Sequence, residues 1–119
     1  MKRASCLAVS VYLCLPAYSG EADITDVRVS CDSARVCRFD VTVSHSDEGW
    51  EHYANKWEVL DQDGEVLGTR RLAHPHVSEQ PFTRSLSGVR VPADVAAVIV
   101  RAYDSVHGAG GIESRVTVP

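Results

Sequence analysis

The chain has 119 residues, 45% of them hydrophobic and 24% charged, with a formal charge of −4. That length supports one modest core rather than several domains. An acidic chain without a basic run excludes a phosphate-reading surface, so nucleic acid is not an expected partner.

The first 19 residues stand apart. Lys2 and Arg3 give a positive start, Leu7 to Leu15 is almost wholly apolar, and Pro16 breaks the run. Ala17-Tyr18-Ser19 then places small residues at the −3 and −1 positions of a cut before Gly20. These three parts predict a secretory signal peptide over residues 1–19 and a working domain over 20–119. The apolar run falls well short of the roughly 20 residues that cross a bilayer, and no later segment replaces it. Lipid attachment at Cys14 is the rival reading, but bulky Leu13 sits where such a signal takes a small residue. The expected location is therefore exported, periplasmic or secreted. Removing the leader leaves ten Lys/Arg against sixteen Asp/Glu, a formal charge of −6. It also leaves two cysteines of four, Cys31 and Cys37, which in an oxidising compartment are expected to pair as a disulfide. A metal site built on these two has no second cysteine pair to complete it.

In chain order, the working domain reads as strands. Ile24 to Ser30 carries Val27 and Val29 on one face. Val36 to His45 alternates strictly, with Cys37, Phe39, Val41, Val43 and His45 on one side and Arg38, Asp40, Thr42 and Ser44 on the other. That period of two marks a half-buried antiparallel strand. Tyr53 to Asp61 and Glu65 to Ala73 flank Asp63-Gly64, a strong hairpin signal. Arg70-Arg71 reads as a solvated edge that resists edge-to-edge pairing. Phe82 to Leu86 continues through a bulge at Gly88 to Val91. Pro92-Ala93-Asp94 is a turn, and Val95 to Asp104 is the most apolar strand. Ser105 to Gly111 is a glycine-rich loop, and Ile112 to Val118 closes the domain.

Seven short strands at regular spacing predict an all-β fold, a seven-stranded antiparallel immunoglobulin-like β-sandwich following the signal peptide. The layout resembles immunoglobulin-like and fibronectin type III-like domains over the whole working chain, with Trp57 on the third strand where such sandwiches bury a tryptophan. It departs from them in its cysteine pair, which joins the ends of strands one and two rather than the two sheets. The resemblance implies an architecture and leaves function open.

Strand direction then sorts the histidines. If the Cys31/Cys37 hairpin is the top, the second strand descends to His45 and the third rises from His52. The fourth descends to His74 and His76, and the sixth to His107. All five fall at the bottom, the end whose loops bind ligands in antibodies. Neutral imidazole is the commonest ligand for copper and zinc. His74-Pro75-His76 sets two rings on one side of an extended chain, and His107 lies in a mobile-looking glycine loop. The metal ligands expected from this pattern are His74, His76 and His107, completed by His52 or His45. Asp104, Glu51, Asp47 and Glu48 are available to add a carboxylate or to orient a ring. His45 continues the buried face of its strand, so a hydrogen-bonded histidine at the core's edge is the plain alternative for it. The absence of methionine after the leader argues against a Met/His carrier of Cu(I). Trp50, Tyr53 and Phe82 map to the same end, either as packing beneath the loops or as a contact surface.

Catalytic motifs do not emerge. Ser105-Val106-His107 lacks a glycine-flanked elbow, and Ala109-Gly110-Gly111 follows no strand-to-helix pattern that would cradle phosphate. The expectation is a non-enzymatic copper- or zinc-binding domain serving carriage, buffering or support of a metal enzyme, with metal-dependent activity the one catalytic route left open. The alternative is a metal-free module whose loops touch another envelope protein or a glycan.

Overall fold

The computed structural model describes residues 20–119; the expected leader, with Cys14 and the proposed cut, lies outside the described residues. Eight strands follow: β1 (Asp23–Cys31), β2 (Val36–Ser44), β3 (Ala54–Leu60), β4 (Val66–Arg71), β5 (Phe82–Arg90), β6 (Ala97–Asp104), β7 (Gly108–Ala109) and β8 (Ser114–Thr117). They form two antiparallel sheets, ordered β1-β2-β5 and β4-β3-β6, with β7 and β8 both bonded to the remaining edge of β6. The protein is an all-β sandwich.

The expected count of seven strands is corrected to eight. The added strand is β7, inside the stretch read as a glycine-rich loop. It pairs with Tyr103 and Asp104, while β8 pairs with Ala97 to Val100, so the two occupy one edge of β6 as an interrupted strand. The interruption has a physical cause. Between them the chain turns away to bond with β1: Ile24 N–H donates to the Ile112 carbonyl at 2.8 Å, and Ile112 N–H donates to Asp23 Oδ1 at 2.7 Å. A side chain at Gly111 would collide with the Ala22 carbonyl, so the approach requires glycine.

Other expectations agree with the structure. The β2–β5 register shifts between Cys37 and Phe39, opposite Val89 and Leu86, which places the extra residue of a bulge at Ser87-Gly88. Trp57 is fully buried on β3. Cys31 and Cys37 are cross-strand partners joined by a disulfide. β4 pairs with β3, whereas constant-type immunoglobulin domains place their fourth strand on the opposite sheet.

The core follows from alternation. β2 turns Cys37, Phe39, Val41 and Val43 inward, and β6 turns Val98, Val100 and Ala102 toward them, all essentially without exposure. At one end of the sandwich these apolar columns stop. The next in-phase residue after Val43 is His45, and after Ala102 it is Asp104, at 4% and 2% exposure. Two opposed sheets thus deliver two polar side chains into the floor of the core.

Candidate metal centre

His45 and Asp104 enter from opposite sheets, and His52 is brought between them by a tight loop. Glu48 N–H donates to the His52 carbonyl at 2.8 Å, and His52 N–H returns to the Gly49 carbonyl at 3.3 Å, folding residues 48–52 back beneath β2. The Nε2 atoms of His45 and His52 lie 3.3 Å apart. Asp104 Oδ2 is 3.2 Å from His52 Nε2 and 3.7 Å from His45 Nε2. Three side chains each offer one lone-pair atom to the same small space, a grouping that could hold a metal ion.

The ligand atoms are held from behind. His45 Nδ1–H donates to Asp47 Oδ1 at 2.5 Å, with both side chains fully buried. Asp47 is itself pinned, accepting from Ala54 N–H on Oδ1 at 2.9 Å and from His76 N–H on Oδ2 at 2.7 Å. His52 Nδ1 faces Glu48 Oε1 at 3.3 Å. Carboxylates behind both Nδ1 atoms favour the tautomer that leaves each Nε2 to face the shared space, the usual support behind metal-binding imidazoles. Asp104 is locked as well. Its Oδ1 accepts the Val106 and His107 N–H groups at 3.1 and 2.5 Å, and its Oδ2 meets His107 Nδ1 at 2.8 Å.

Charge at the site follows from these contacts. Burial would raise the Asp104 pKa, but hydrogen bonds from the His107 amide, the His107 ring and His52 outweigh it and hold the carboxyl below its ordinary value. Burial pulls the His52 pKa down, but hydrogen bonds to Asp104, the Gly20 carbonyl and Glu48, with the Asp104 charge, outweigh that and raise it. Asp104 is thus held in its ionised form, and His52 holds a proton more tightly because that carboxylate faces it.

A main-chain group also reaches this space. The Gly20 carbonyl oxygen lies 2.6 Å from His45 Nε2 and 3.0 Å from His52 Nε2.

The sequence-expected residues divide into two groups. His45, His52 and Asp104 supply the converging atoms, and His107 packs beside them, its ring 5.0 Å from that of His52. His74 and His76 form a separate pair with ring centroids 4.7 Å apart. His74 is exposed, its Nδ1 facing the Pro75 carbonyl at 3.1 Å. His76 stacks on Phe82 at 4.1 Å and 11°. Asp47 links the pair to the centre, bonding the His45 ring and the His76 amide. Glu51 is exposed and outside the convergent set. Trp50 is 64% exposed and meets Tyr53 edge-on. Sequence reasoning left Asp104 either to add a carboxylate or to orient a ring, and its carboxylate stands among the converging atoms. The signal was present in the phase of Val98, Val100, Ala102 and Asp104. The Gly20 carbonyl carries no side-chain signature to find.

Comparison with known proteins adds one relative. A protein named "Putative lipoprotein" from Halomicrobium mukohataei is 42% identical over 91 residues, covering 76% of this chain and 44% of that protein. The chain thus spans less than half the length of this relative. No family model matches the chain, and no solved structure matches it.

Proposed function

We propose that this protein is an exported β-sandwich that holds a copper or zinc ion at His45, His52 and Asp104. The observation that carries the reading is the spacing of Nε2, Nε2 and Oδ2 at 3.2–3.7 Å. Metal–ligand bonds of about 2.0–2.1 Å in a tetrahedron put neighbouring ligand atoms about 3.3 Å apart. Imidazole with carboxylate suits zinc and copper(II). We read the task as carriage, buffering or supply of the ion rather than catalysis, because the chain shows no nucleophile motif and its ligands are clamped from behind.

Export is supported by the leader-like first 19 residues, by the Cys31–Cys37 disulfide, which persists in oxidising compartments, and by the relative's name. That name also favours a lipid-anchored form, for which Cys14 is the available thiol. The mass of the N-terminal peptide of the processed protein separates the forms: a start at unmodified Gly20 means cleavage, and an acylated start at Cys14 means an anchor.

Metal binding is tested by titrating the processed protein with zinc and with copper(II), following heat and melting temperature. A ligand at 100 times its dissociation constant adds about 2.7 kcal/mol to folded-state stability. His45→Ala or Asp104→Asn should lower affinity at least tenfold, whereas the double variant His74→Ala/His76→Ala should retain binding. No melting shift with either ion would favour the metal-free module.

A further inference from the structure

We propose that the main-chain carbonyl of Gly20 is a fourth ligand of the same ion, so that the metal ties the N-terminal segment to the floor of the sandwich. The inference rests on the metal reading above and adds to it a ligand drawn from the backbone.

Three observations support it. First, the Gly20 oxygen faces both imidazole nitrogens that would bind the ion, at 2.6 and 3.0 Å. With His45 Nδ1 already donating to Asp47, the contact at His45 Nε2 places a second acceptor against the same ring. Two imidazole nitrogens, one carboxylate oxygen and one carbonyl oxygen thus face one space, the number of ligands a tetrahedral ion takes, and as the metal enters the Gly20 oxygen must draw back from 2.6 Å to the roughly 3.3 Å that separates two ligands of one ion. Second, position 20 is built for this approach. Its backbone lies at φ +88°, in the region that favours glycine, and a Cβ there would stand 2.7 Å from His52 Cε1 and 3.2 Å from His107 Cε1. Third, the residues that follow are anchored. Ala22 is buried, and Ile24 N–H is bonded to the Ile112 carbonyl, so the chain leaving Gly20 has a fixed seat within a few residues. The carbonyl is available whether the processed chain begins at Gly20 or further upstream.

The processed protein, labelled with 13C at glycine carbonyls and 15N at glutamate, reports two Gly–Glu linkages, Gly20–Glu21 and Gly64–Glu65. The second sits in the β3–β4 turn, at the opposite end of the strand that His52 precedes, and serves as an internal control. On addition of zinc, the Gly20 carbonyl resonance should move in step with the His45 and His52 ring nitrogens while that of Gly64 stays in place. A crystal structure of the zinc form should show Gly20 O at about 2.0–2.2 Å from the ion. Movement of the histidine signals with an unmoved Gly20 carbonyl, or a zinc–oxygen separation beyond about 3 Å with water in the fourth position, overturns this assignment and leaves the three side-chain ligands standing. Absence of any zinc response overturns the metal reading and the Gly20 assignment together.

Discussion

His76 is only 6% exposed, yet neither ring nitrogen has a hydrogen-bond partner. Its ring is flattened against Phe82, and only its backbone reaches the centre, through Asp47. Burial, with the nearby charges of Arg84 and His74, lowers its pKa below the ordinary value near 6.5. The unfolded chain therefore binds a proton at this residue before the folded chain does. Stability is unaffected by His76 above about pH 6.5 and falls as pH drops below it, by at most about 1.4 kcal/mol per pH unit. Urea titrations of the metal-free protein between about pH 6 and 5, below the range in which the raised His52 adds stability on protonation, should show that slope, and His76→Phe should flatten it. An unchanged slope in the variant would assign the acid sensitivity to another group. The same residue shows what a sequence hides. His-Pro-His advertises two rings, and nothing in the motif reveals that one lies stacked on a phenylalanine eight residues from the pair's start. Asp104 is the opposite case, since counting by twos from Val98 leads directly to a buried carboxylate.

At the scale of elements, the strands of this sandwich were readable because a half-buried strand writes its geometry into alternation. β2 is the clearest, with every predicted inward residue from Cys37 to His45 buried. The break between β7 and β8 was not readable, because its cause is tertiary: the segment after Ala109 leaves β6 for β1. Glycine at 111 permits that exchange and locks the open edge of the first sheet to the second. Gly111→Ala should force the two chains apart and cost about 1–3 kcal/mol, the usual penalty of overpacking. Thermal unfolding should record the loss, and faster amide exchange at Ile24 and Ile112 would locate it. Retention of wild-type exchange at both amides would show that the edge does not depend on this contact.

For the whole molecule, the order of the strands does more than any single residue to make the site. Antiparallel strands bring chain positions as distant as 20, 45, 52 and 104 to one end. Strand counting found that end. It did not find which rings converge, because convergence depends on loop closures such as that of residues 48–52. The disulfide marks the other end. Cys37 lies on β2 and His45 directly follows it, eight residues further on, about 27 Å at the rise of an extended chain. The Cys31–Cys37 loop contributes about 2–2.5 kcal/mol by chain-entropy reasoning. Cys31→Ser/Cys37→Ser should lose about that stability in chemical denaturation, while zinc affinity measured well below the melting point stays within about twofold. A tenfold drop in affinity would show that the two ends communicate.

That separation has a consequence for chemistry in an oxidising compartment. A copper ion beside a pair of thiols can pass electrons to and from them, whereas here the proposed site and the sulfur atoms stand at opposite ends of a valine-lined core. If the site holds an ion as proposed, reduction of the sulfur–sulfur bond frees its thiols at the far end of β2, away from the ligands.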